Sequence, residues 1–326
     1  MLKAISGAKE SIYLEMYIFV DNTKGYNFFE ALKQKARVGV KVKVIIDLLG
    51  SSELKFQAIE KLNETGIELR FFSYWLQRAH KKILVVDEKI AFLGGVNISK
   101  VFRKWDDLQM RFEGPIVKSV LRSFAHTYRH CGGTDPDILS YAKKQRGKSK
   151  LWILENWHIK RKRFITQRYR ESISEAKKSI VITTPYFVPA RWLVGELHQA
   201  VLKGVSVEVI VPQKTDYWIL DRVNYFYVYR LHKLGIKFYI QKKMNHAKTM
   251  LIDDTEGVIG SQNIDPLSFD YNVEIGLFFQ EKNMIKDIKK IIDGWKQASD
   301  VFMPIKKPSW ADYLLAPIIK LFQSIV

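Results

Sequence analysis

HKKILVVD at residues 80–87 and HAKTMLID at residues 246–253 are two copies of one pattern. Each copy has a His, a Lys two positions later, and an Asp five positions after that Lys. The residues between the Lys and the Asp are mostly apolar, which predicts two buried strands. We interpret Asp87 and Asp253, which end these strands, as structural residues buried in turns.

Further matching segments surround the two copies in the same order. A helix end followed by a strand opens each repeat, as in AKESIYLEMYIF from Ala8 and AKKSIVITTPYFVP from Ala176. An amphipathic helix, a glycine and an alternating strand follow, as in ALKQKARVGVKVKVIID from Ala31 and ELHQAVLKGVSVEVIVP from Glu196. This alternation of helices and strands predicts an α/β fold of two pseudo-symmetric sandwich halves, each with a mostly parallel or mixed sheet.

The repeat also predicts the domain boundaries. We place the first half at residues 1–142 and the second at residues 151–303, joined by the polar linker KKQRGKSK at residues 143–150. The tail at residues 304–326 has apolar residues at helical spacing, but it is too short and too charged to span a bilayer. Two interpretations stay open, an amphipathic helix lying in a membrane interface and a helix packed on the core.

The charge balance predicts an anionic partner. Lys and Arg number 53 against 34 Asp and Glu, so the formal net charge is +19. Nucleic acid, an acidic membrane surface and a phosphorylated substrate all fit this charge. Residues 143–170 carry eleven Lys or Arg and one acid, and this window either binds such an anion or is a solvated surface. No uninterrupted apolar run of transmembrane length occurs, and Cys131 is the single cysteine, so intramolecular disulfides are excluded.

The two His–Lys pairs are the candidate catalytic groups. Because residues i and i+2 of a strand project from the same face, His80 and Lys82 should point together, as should His246 and Lys248, while the intervening residues face the core. If the halves pack around a pseudo-two-fold axis, both pairs converge on one active site at their interface. Two imidazoles and two ammonium groups suit one anionic tetrahedral group, and phosphate is the obvious candidate.

Other polar residues follow each pair at matching distances. Asn97 in GGVN and Asn263 in GSQN each lie 17 residues after their His. The glycines allow close approach of the backbone to a ligand, and Asn can donate to a phosphate oxygen. Asp107 and Glu274 lie 27 and 28 residues after the respective His. We expect each carboxylate to hydrogen-bond a catalytic imidazole, and the spacing leaves open which carboxylate serves which His.

These motifs resemble the signature of the phospholipase D superfamily, H-x-K-x4-D followed by G-[GS]-x-N, and the match is doubled over nearly the whole chain. Within that superfamily the chain is similar to bacterial cardiolipin synthases, on the segments RFEGPIV at 111–117, PYFVP at 185–189 and GSQNIDPLSFDYNVEIG at 260–276. Many of these synthases carry N-terminal membrane helices and a strand before the first helix, which this sequence lacks. We therefore expect a truncation or a short variant.

The resemblance implies a mechanism without metal or cofactor, in which lysines supply the positive charge. One imidazole attacks a phosphodiester to form a phosphohistidine, and the partner His protonates the leaving alcohol and deprotonates the incoming one. By family analogy His80 is the nucleophile and His246 the general acid and base. The lysines and asparagines would hold the charge on the phosphoryl oxygens, and a direct catalytic role for the Asp of each triplet is disfavoured.

Three functions remain open. The first is a phosphatidyltransferase that joins two phosphatidylglycerol molecules into cardiolipin and releases glycerol. The second is a phospholipase D-type phosphodiesterase that hydrolyses phospholipid or nucleic acid, and PYFVP and the apolar tail disfavour nucleic acid. The third is a non-catalytic membrane scaffold, which two intact triplets disfavour. We expect the first function and a peripheral location on the cytoplasmic face of the bacterial membrane, bound to anionic phospholipid.

Overall fold

The chain forms two compact units. The computed structural model describes residues 1–20, 27–74, 77–142, 149–304 and 306–314. The first unit comprises Met1–Lys104 and Gln109–Ile153, and the second comprises Trp105–Leu108 and Leu154–Val326. This division differs from the predicted contiguous halves because the short segment Trp105–Leu108 pairs with the second unit. Most of the proposed linker at 143–150 lies outside the described residues, so its bounds stay a prediction.

The first unit contains a six-stranded mixed sheet in the order β3-β2-β1-β4-β5-β6. Strands β1, β2 and β3 are parallel, and β4, β5 and β6 each run antiparallel to the strand before them in this order. Its elements are α1 (Leu2–Gly7), β1 (Ser11–Met16), α2 (Phe28–Arg37), β2 (Lys41–Asp47), α3 (Phe56–Asn63), β3 (Glu68–Phe72), β4 (Lys82–Val86), β5 (Ile90–Gly94), a 3-10 turn (Lys100–Lys104), β6 (Gln109–Glu113), α4 (Val117–His130) and α5 (Pro136–Ser140).

The second unit is built on a nine-stranded sheet in the order β15-β11-β10-β9-β12-β13-β14-β7-β8. Its elements are β7 (Leu151–Trp157), a 3-10 turn (His158–Lys160), β8 (Lys162–Arg163), α6 (Phe164–Glu175), β9 (Ser179–Thr183), α7 (Arg191–Leu202), β10 (Ser206–Pro212), α8 (Trp218–His232), β11 (Lys237–Gln241), β12 (Thr249–Ile252), β13 (Glu256–Gly260), a π-helical turn (Leu267–Tyr271), β14 (Glu274–Phe279), α9 (Lys282–Gln297) and β15 (Ser299–Val301).

The two sheets repeat one arrangement, which confirms the predicted fold class of two α/β halves with mixed sheets. Strands β9 to β14 lie in the same relative order as β1 to β6, and β7, β8 and β15 extend the second sheet beyond this repeat. The glycines that end the matching helices α2 and α7 also agree, since Gly39 and Gly204 have φ of +86° and +84°. That left-handed conformation is open to glycine without steric cost and stops both helices at the same point of the repeat.

The first sheet is covered on both faces by helices. On one face, Leu14, Val44 and Leu84 of the sheet pack with residues of α1, α2 and α3, such as Ile5 and Phe29, in one buried cluster. On the other face α4 is amphipathic and buries its apolar side, as the contact between Phe124 and Tyr13 of β1 shows, with ring centroids 5.5 Å apart. Alternate residues of each strand therefore enter separate layers, as expected for period two.

The described part of the C-terminal tail packs on α8. Residues 310–314 are helical, Asp312 forms an ion pair with Arg222 at 2.6 Å, and the ring of Tyr313 lies 5.1 Å from that of Phe226. Even so, Trp310 is 78% exposed. The predicted amphipathic tail thus combines a docked face with an exposed apolar face as far as residue 314, and residues 315–326 lie outside the described part. Within the described residues, no helix has both the length and the apolar character to cross a bilayer.

Candidate active site

Each sheet presents the His and the Asn of its motif at one edge. In the first unit β1, β2, β3 and β5 end at the edge where β4 and β6 begin, and in the second unit β9, β10, β11 and β13 end where β12 and β14 begin. We call this the carboxyl edge of each sheet. His80 precedes β4 and Asn97 follows β5, and in the second unit His246 precedes β12 and Asn263 follows β13. Strand direction alone therefore brings residues that are distant in sequence to one edge within each unit.

In the first unit His80 and Lys82 are buried beside an aromatic ring. His80 is 7% exposed and Lys82 is fully buried. The ring of Tyr17, which follows β1, lies edge-on to the His80 imidazole at 4.6 Å between centroids. The Lys82 ammonium lies 4.9 Å from the centre of the same ring. Asn97 is also buried, and its side-chain oxygen accepts a hydrogen bond from the Ile18 backbone N–H at 3.3 Å.

The same lysine contact occurs in both units. Lys82 Nζ donates to the backbone carbonyl of His80 at 2.6 Å, and Lys248 Nζ donates to the backbone carbonyl of His246. Both lysines therefore turn back toward the residue two positions earlier. This contact holds each ammonium next to the backbone of its own His.

His246 is held by a carboxylate. Its Nδ1 lies 2.8 Å from Oδ2 of Asp107, and the two side chains are 5% and 10% exposed. Burial by itself would raise the pKa of Asp107, but the His246 charge, the hydrogen bond and Lys248 outweigh it and hold that pKa below its ordinary value. An ionised Asp107 makes Nδ1 the protonated nitrogen, so Nε2 is the atom that can exchange a proton with a ligand. Trp105 packs near this imidazole, with ring centroids 5.6 Å apart.

The segment that carries Asp107 is anchored by its neighbour Asp106. The backbone of Asp106 bonds to both sides of the His246 loop, accepting from the His246 N–H at 2.6 Å and donating to the Met244 carbonyl at 2.9 Å. The Asp106 carboxylate accepts from Gln241 Nε2 at 3.0 Å and pairs with Lys243. These contacts explain why Trp105–Leu108 belongs to the second unit, and they assign Asp107 to His246, the choice that spacing left open.

Lys248 lies among carboxylates but out of water. It is 2% exposed, and burial lowers its pKa to about 8, although Asp107, Glu274, Asp265 and Asp216 oppose that shift. The loss of hydration therefore dominates over the attraction of four nearby acids. A lysine with such a pKa keeps most of its charge at neutral pH and gains from an anionic ligand that replaces its lost hydration.

Asn263 and Asp265 form a buried pair behind the second motif. Asn263 is 7% exposed and Asp265 is 3% exposed. Burial raises the pKa of Asp265 to about 6, against hydrogen bonds from Ser268 and from the Asn263 side chain. Packing, rather than the predicted approach of a ligand, requires glycine at position 260 of this motif. A Cβ on Gly260 would lie 2.4 Å from the Ile275 carbonyl oxygen of β14.

Glu274, the first residue of β14, is fully buried and accepts a hydrogen bond from Ser261 Oγ. Its predicted bond to an imidazole stays a prediction. Among the described residues no group of three or more His, Cys, Asp and Glu side chains is arranged to hold a metal ion.

Asp87 and Asp253 lie at the opposite edge of their sheets and organise backbone. Asp87 accepts hydrogen bonds from the N–H groups of residues 9–11, and Asp253 from those of residues 177–179, at 2.7–3.1 Å. Both have positive φ, 50° and 53°, as does the residue after each, in tight turns that lead into β5 and β13. Each Asp thus shapes a hairpin turn and caps the start of β1 or β9. They are half-buried rather than buried as predicted.

The structure adds two groups that sequence reasoning missed. Tyr186 of the PYFVP segment donates to Asp216 at 2.5 Å, and its ring lies 6.5 Å from the His246 imidazole. In the first unit Lys81, the residue between His80 and Lys82, is a fully buried cation 3.2 Å from Glu15. It also donates to Thr127 of α4 at 2.6 Å. Lys81 thereby ties the start of β4, next to His80, to α4.

Comparison with known proteins gives consistent matches. A family described as "Cardiolipin synthase, PLD-like domain" matches residues 1–126 and 169–295. The major cardiolipin synthase ClsA of Bacillus subtilis (strain 168) is 30% identical over 98% of this chain and 69% of its own length. Cardiolipin synthase 1 of Bacillus cereus is 31% identical over 89% of this chain and 62% of its own length. The chain thus spans about two thirds of these curated relatives.

Solved structures agree on the fold. Phosphatidylserine synthase from Haemophilus influenzae Rd KW20 superposes with a TM-score of 0.75 over 99% of this chain and 90% of its own, at 16% sequence identity. Polyphosphate kinase from Porphyromonas gingivalis superposes with a TM-score of 0.63 over 100% of this chain and 53% of its own, also at 16% identity. At such identities the likeness concerns the fold alone.

Proposed function

Since this chain belongs to the phospholipase D superfamily and, within it, to the cardiolipin synthase family of phosphatidyltransferases, we propose that it joins two phosphatidylglycerol molecules into cardiolipin and glycerol. The reaction breaks one phosphodiester bond while forming another, so it needs no nucleotide. The arrangement of His246, Asp107 and Lys248 is the observation that carries this proposal. A tautomer-fixed imidazole beside a buried ammonium suits proton exchange at a phosphoryl group.

The first step makes a phosphatidyl-enzyme. His80 Nε2 attacks the phosphorus of one phosphatidylglycerol, and the bond from phosphorus to the headgroup glycerol oxygen breaks. His246, protonated on both nitrogens at this stage, donates its Nε2 proton to that oxygen, and glycerol leaves. Asp107 stabilises the imidazolium before donation, because a carboxylate in hydrogen-bond contact favours the charged form of the ring.

The second step reverses these roles. His246 Nε2 takes a proton from a headgroup hydroxyl of a second phosphatidylglycerol, whose oxygen attacks the phosphorus. The phosphorus–nitrogen bond to His80 breaks, and cardiolipin is released. Lys82, Lys248, Asn97 and Asn263 hold the negative charge of the phosphoryl oxygens in both steps. Their placement at the same carboxyl edges as the two His residues supports this role, since preorganised donors stabilise developing charge most effectively in a dry site.

The substrate also sets the location. Phosphatidylglycerol stays in the bilayer, so the enzyme must work at a membrane surface. The net charge of +19 and the exposed Trp310 support peripheral binding to anionic phospholipid. We place the protein on the cytoplasmic side of the bacterial membrane. A chain with a single cysteine forms no intramolecular disulfide, so a reducing compartment suits it.

Product analysis tests the proposal. The purified protein is incubated with phosphatidylglycerol vesicles without added metal, and cardiolipin and glycerol are quantified; they should appear in equal amounts. His80→Ala and His246→Ala should abolish both products, while His198→Ala on α7 serves as the matched control and should react like the wild type. Phosphatidic acid without cardiolipin would instead identify a hydrolase. Cleavage of DNA without any lipid product would identify a nuclease.

A further inference from the structure

Two strongly exposed aromatic side chains occupy the same position of the repeat. Phe56 is the first residue of α3, which follows β2, and Trp218 is the first residue of α8, which follows β10. Each is 71% exposed. Strands β2 and β10 are equivalent in the two sheets, so both halves present a large apolar side chain to water at the same place.

That place is the carboxyl edge of each sheet. Strands β2 and β10 end there, and the loops to α3 and α8 begin there. His80 and Asn97 lie at this edge in the first unit, and His246 and Asn263 lie at it in the second. The exposed aromatic residue of each unit is therefore on the edge that carries that unit's own catalytic candidates.

Further exposed apolar residues accompany each aromatic residue. In the first unit Leu48 and Leu49, directly after β2, are 47% and 54% exposed. In the second unit Tyr217, directly before Trp218, is 51% exposed. The tail approaches here as well, because Ser309 and Asp312 bond to Arg222, one helical turn after Trp218. We call Leu48, Leu49 and Phe56 the first rim, and Tyr217, Trp218 and Trp310 the second rim.

Exposed basic residues lie on the same loops. The loop after β2 carries Lys55, and the loop after β5, also at the carboxyl edge, carries Lys100 and Lys104. In the second unit Lys214 precedes Tyr217, and Lys307 precedes the part of the tail that bonds to Arg222. Apolar side chains mixed with cations suit a surface that is both apolar and negatively charged, and an anionic bilayer interface has both properties.

We propose that the first and second rims are the surfaces by which each unit docks on an anionic phospholipid bilayer, with Phe56 and Trp218 entering the interface. The inference rests on the proposed function for its choice of a lipid partner. It extends that function by naming the residues that hold each carboxyl edge at the membrane, so that a headgroup in the bilayer can reach the catalytic residues.

The fold supplies matched controls at the opposite edge. Val38 and Leu202 lie at the C-terminal ends of the equivalent helices α2 and α7, where the chain turns into β2 and β10. They are 73% and 66% exposed, as much as Phe56 and Trp218. Changing them removes exposed apolar side chains from the edge that should not touch lipid.

The test measures partition onto vesicles made of equal parts phosphatidylglycerol and phosphatidylcholine, by sedimentation at high salt, where apolar contacts dominate. Phe56→Ser and Trp218→Ser should each weaken partition roughly tenfold, and the double variant roughly a hundredfold, because each removes one large apolar side chain from the interface. Val38→Ser and Leu202→Ser should partition like the wild type. All variants should keep the wild-type unfolding temperature, since the changed side chains are exposed.

A second measurement tests the same contact if a serine variant folds poorly. Phe56→Trp should gain fluorescence that bromine-labelled lipid quenches, and Val38→Trp should gain fluorescence that it does not quench. Rim variants that bind vesicles like the wild type, or control variants that lose as much binding, would overturn the proposal. It would also fail if the rim variants changed only the oligomeric state, because the rims would then cover a second copy. A wild-type protein that binds through the rims but makes no cardiolipin would overturn the proposed function and leave the docking surface standing.

Discussion

Replacing Asp107 by Asn tests the role of the His246 carboxylate. An opposite charge in hydrogen-bond contact shifts a pKa by roughly 1–3 units, and each unit corresponds to about 1.4 kcal/mol. The pair is well shielded from solvent, with side chains 5% and 10% exposed, so screening reduces this little. Loss of the Asp107 charge should therefore destabilise the His246 imidazolium by about 1.4–4 kcal/mol and lower kcat roughly 10- to 1000-fold where proton donation limits the rate. The new amide can also donate to Nδ1 and fix the wrong tautomer.

The neighbouring residue gives a close control. Asp106→Asn removes a carboxylate from the same segment but leaves the backbone bonds that hold the His246 loop, so kcat should fall less than about threefold. The assay is steady-state cardiolipin formation across a pH series, with unfolding measured in parallel. Asp107→Asn should shift the pH profile to lower pH, because the imidazole of His246 loses its proton more easily. Equal rates and equal profiles for the wild type and Asp107→Asn would refute the assigned role.

Three further outcomes are expected. The kcat/KM should fall as pH rises through about 8, where Lys248 loses the proton that lets it hold phosphoryl oxygens; a pH–rate series that stays flat well above this pH would contradict the role. Asp253→Asn should lower the free energy of unfolding by about 1–3 kcal/mol, measured in urea, with little change in activity per folded molecule. Backbone hydrogen bonds overcome the effect of burial and lower the pKa of Asp253, so its contribution to stability is present above the ordinary Asp pKa and is lost as pH falls through the lowered pKa. A large loss of activity in folded Asp253→Asn would instead make Asp253 a catalytic residue. A chain ending at Pro308 should lose part of the vesicle binding that survives high salt, while Phe56 and Trp218 retain the rest, and unfolding of that chain would make the tail a core element.

Sequence patterns predicted the parts of this molecule that the repeat determines. The His–Lys pairs, the helix-ending glycines and the two α/β halves all follow from two aligned copies, because each copy must bury the same apolar faces. The repeat also placed Asp107 and Glu274 at similar distances from their motifs. It could not choose a partner for Asp107, since that depends on how the segment after β5 bonds to the His246 loop through Asp106.

What differs between the halves was harder to predict. Position 81 is Lys in one copy and the matching position 247 is Ala in the other, and the contacts with Glu15, Ser123 and Thr127 explain a buried cation there. The bond between Tyr186 and Asp216 joins two loops with no shared sequence pattern. The lowered pKa of Lys248 depends on burial, which the motif does not encode. Tertiary contacts therefore supply the electrostatics of the site, while the sequence supplies its residues.

The covalent step through His80 is the central claim, and a burst experiment tests it most directly. The substrate is a phosphatidyl ester of p-nitrophenol, whose leaving group needs no proton from His246. His246→Ala should release one nitrophenolate per enzyme in a rapid burst and then stall as the phosphatidyl-His80 form, which mass spectrometry detects on the peptide that contains residue 80. His80→Ala should show neither burst nor adduct. A burst in His80→Ala with an adduct at residue 246, or cardiolipin synthesis by the wild type with no covalent adduct at either His, would contradict the account.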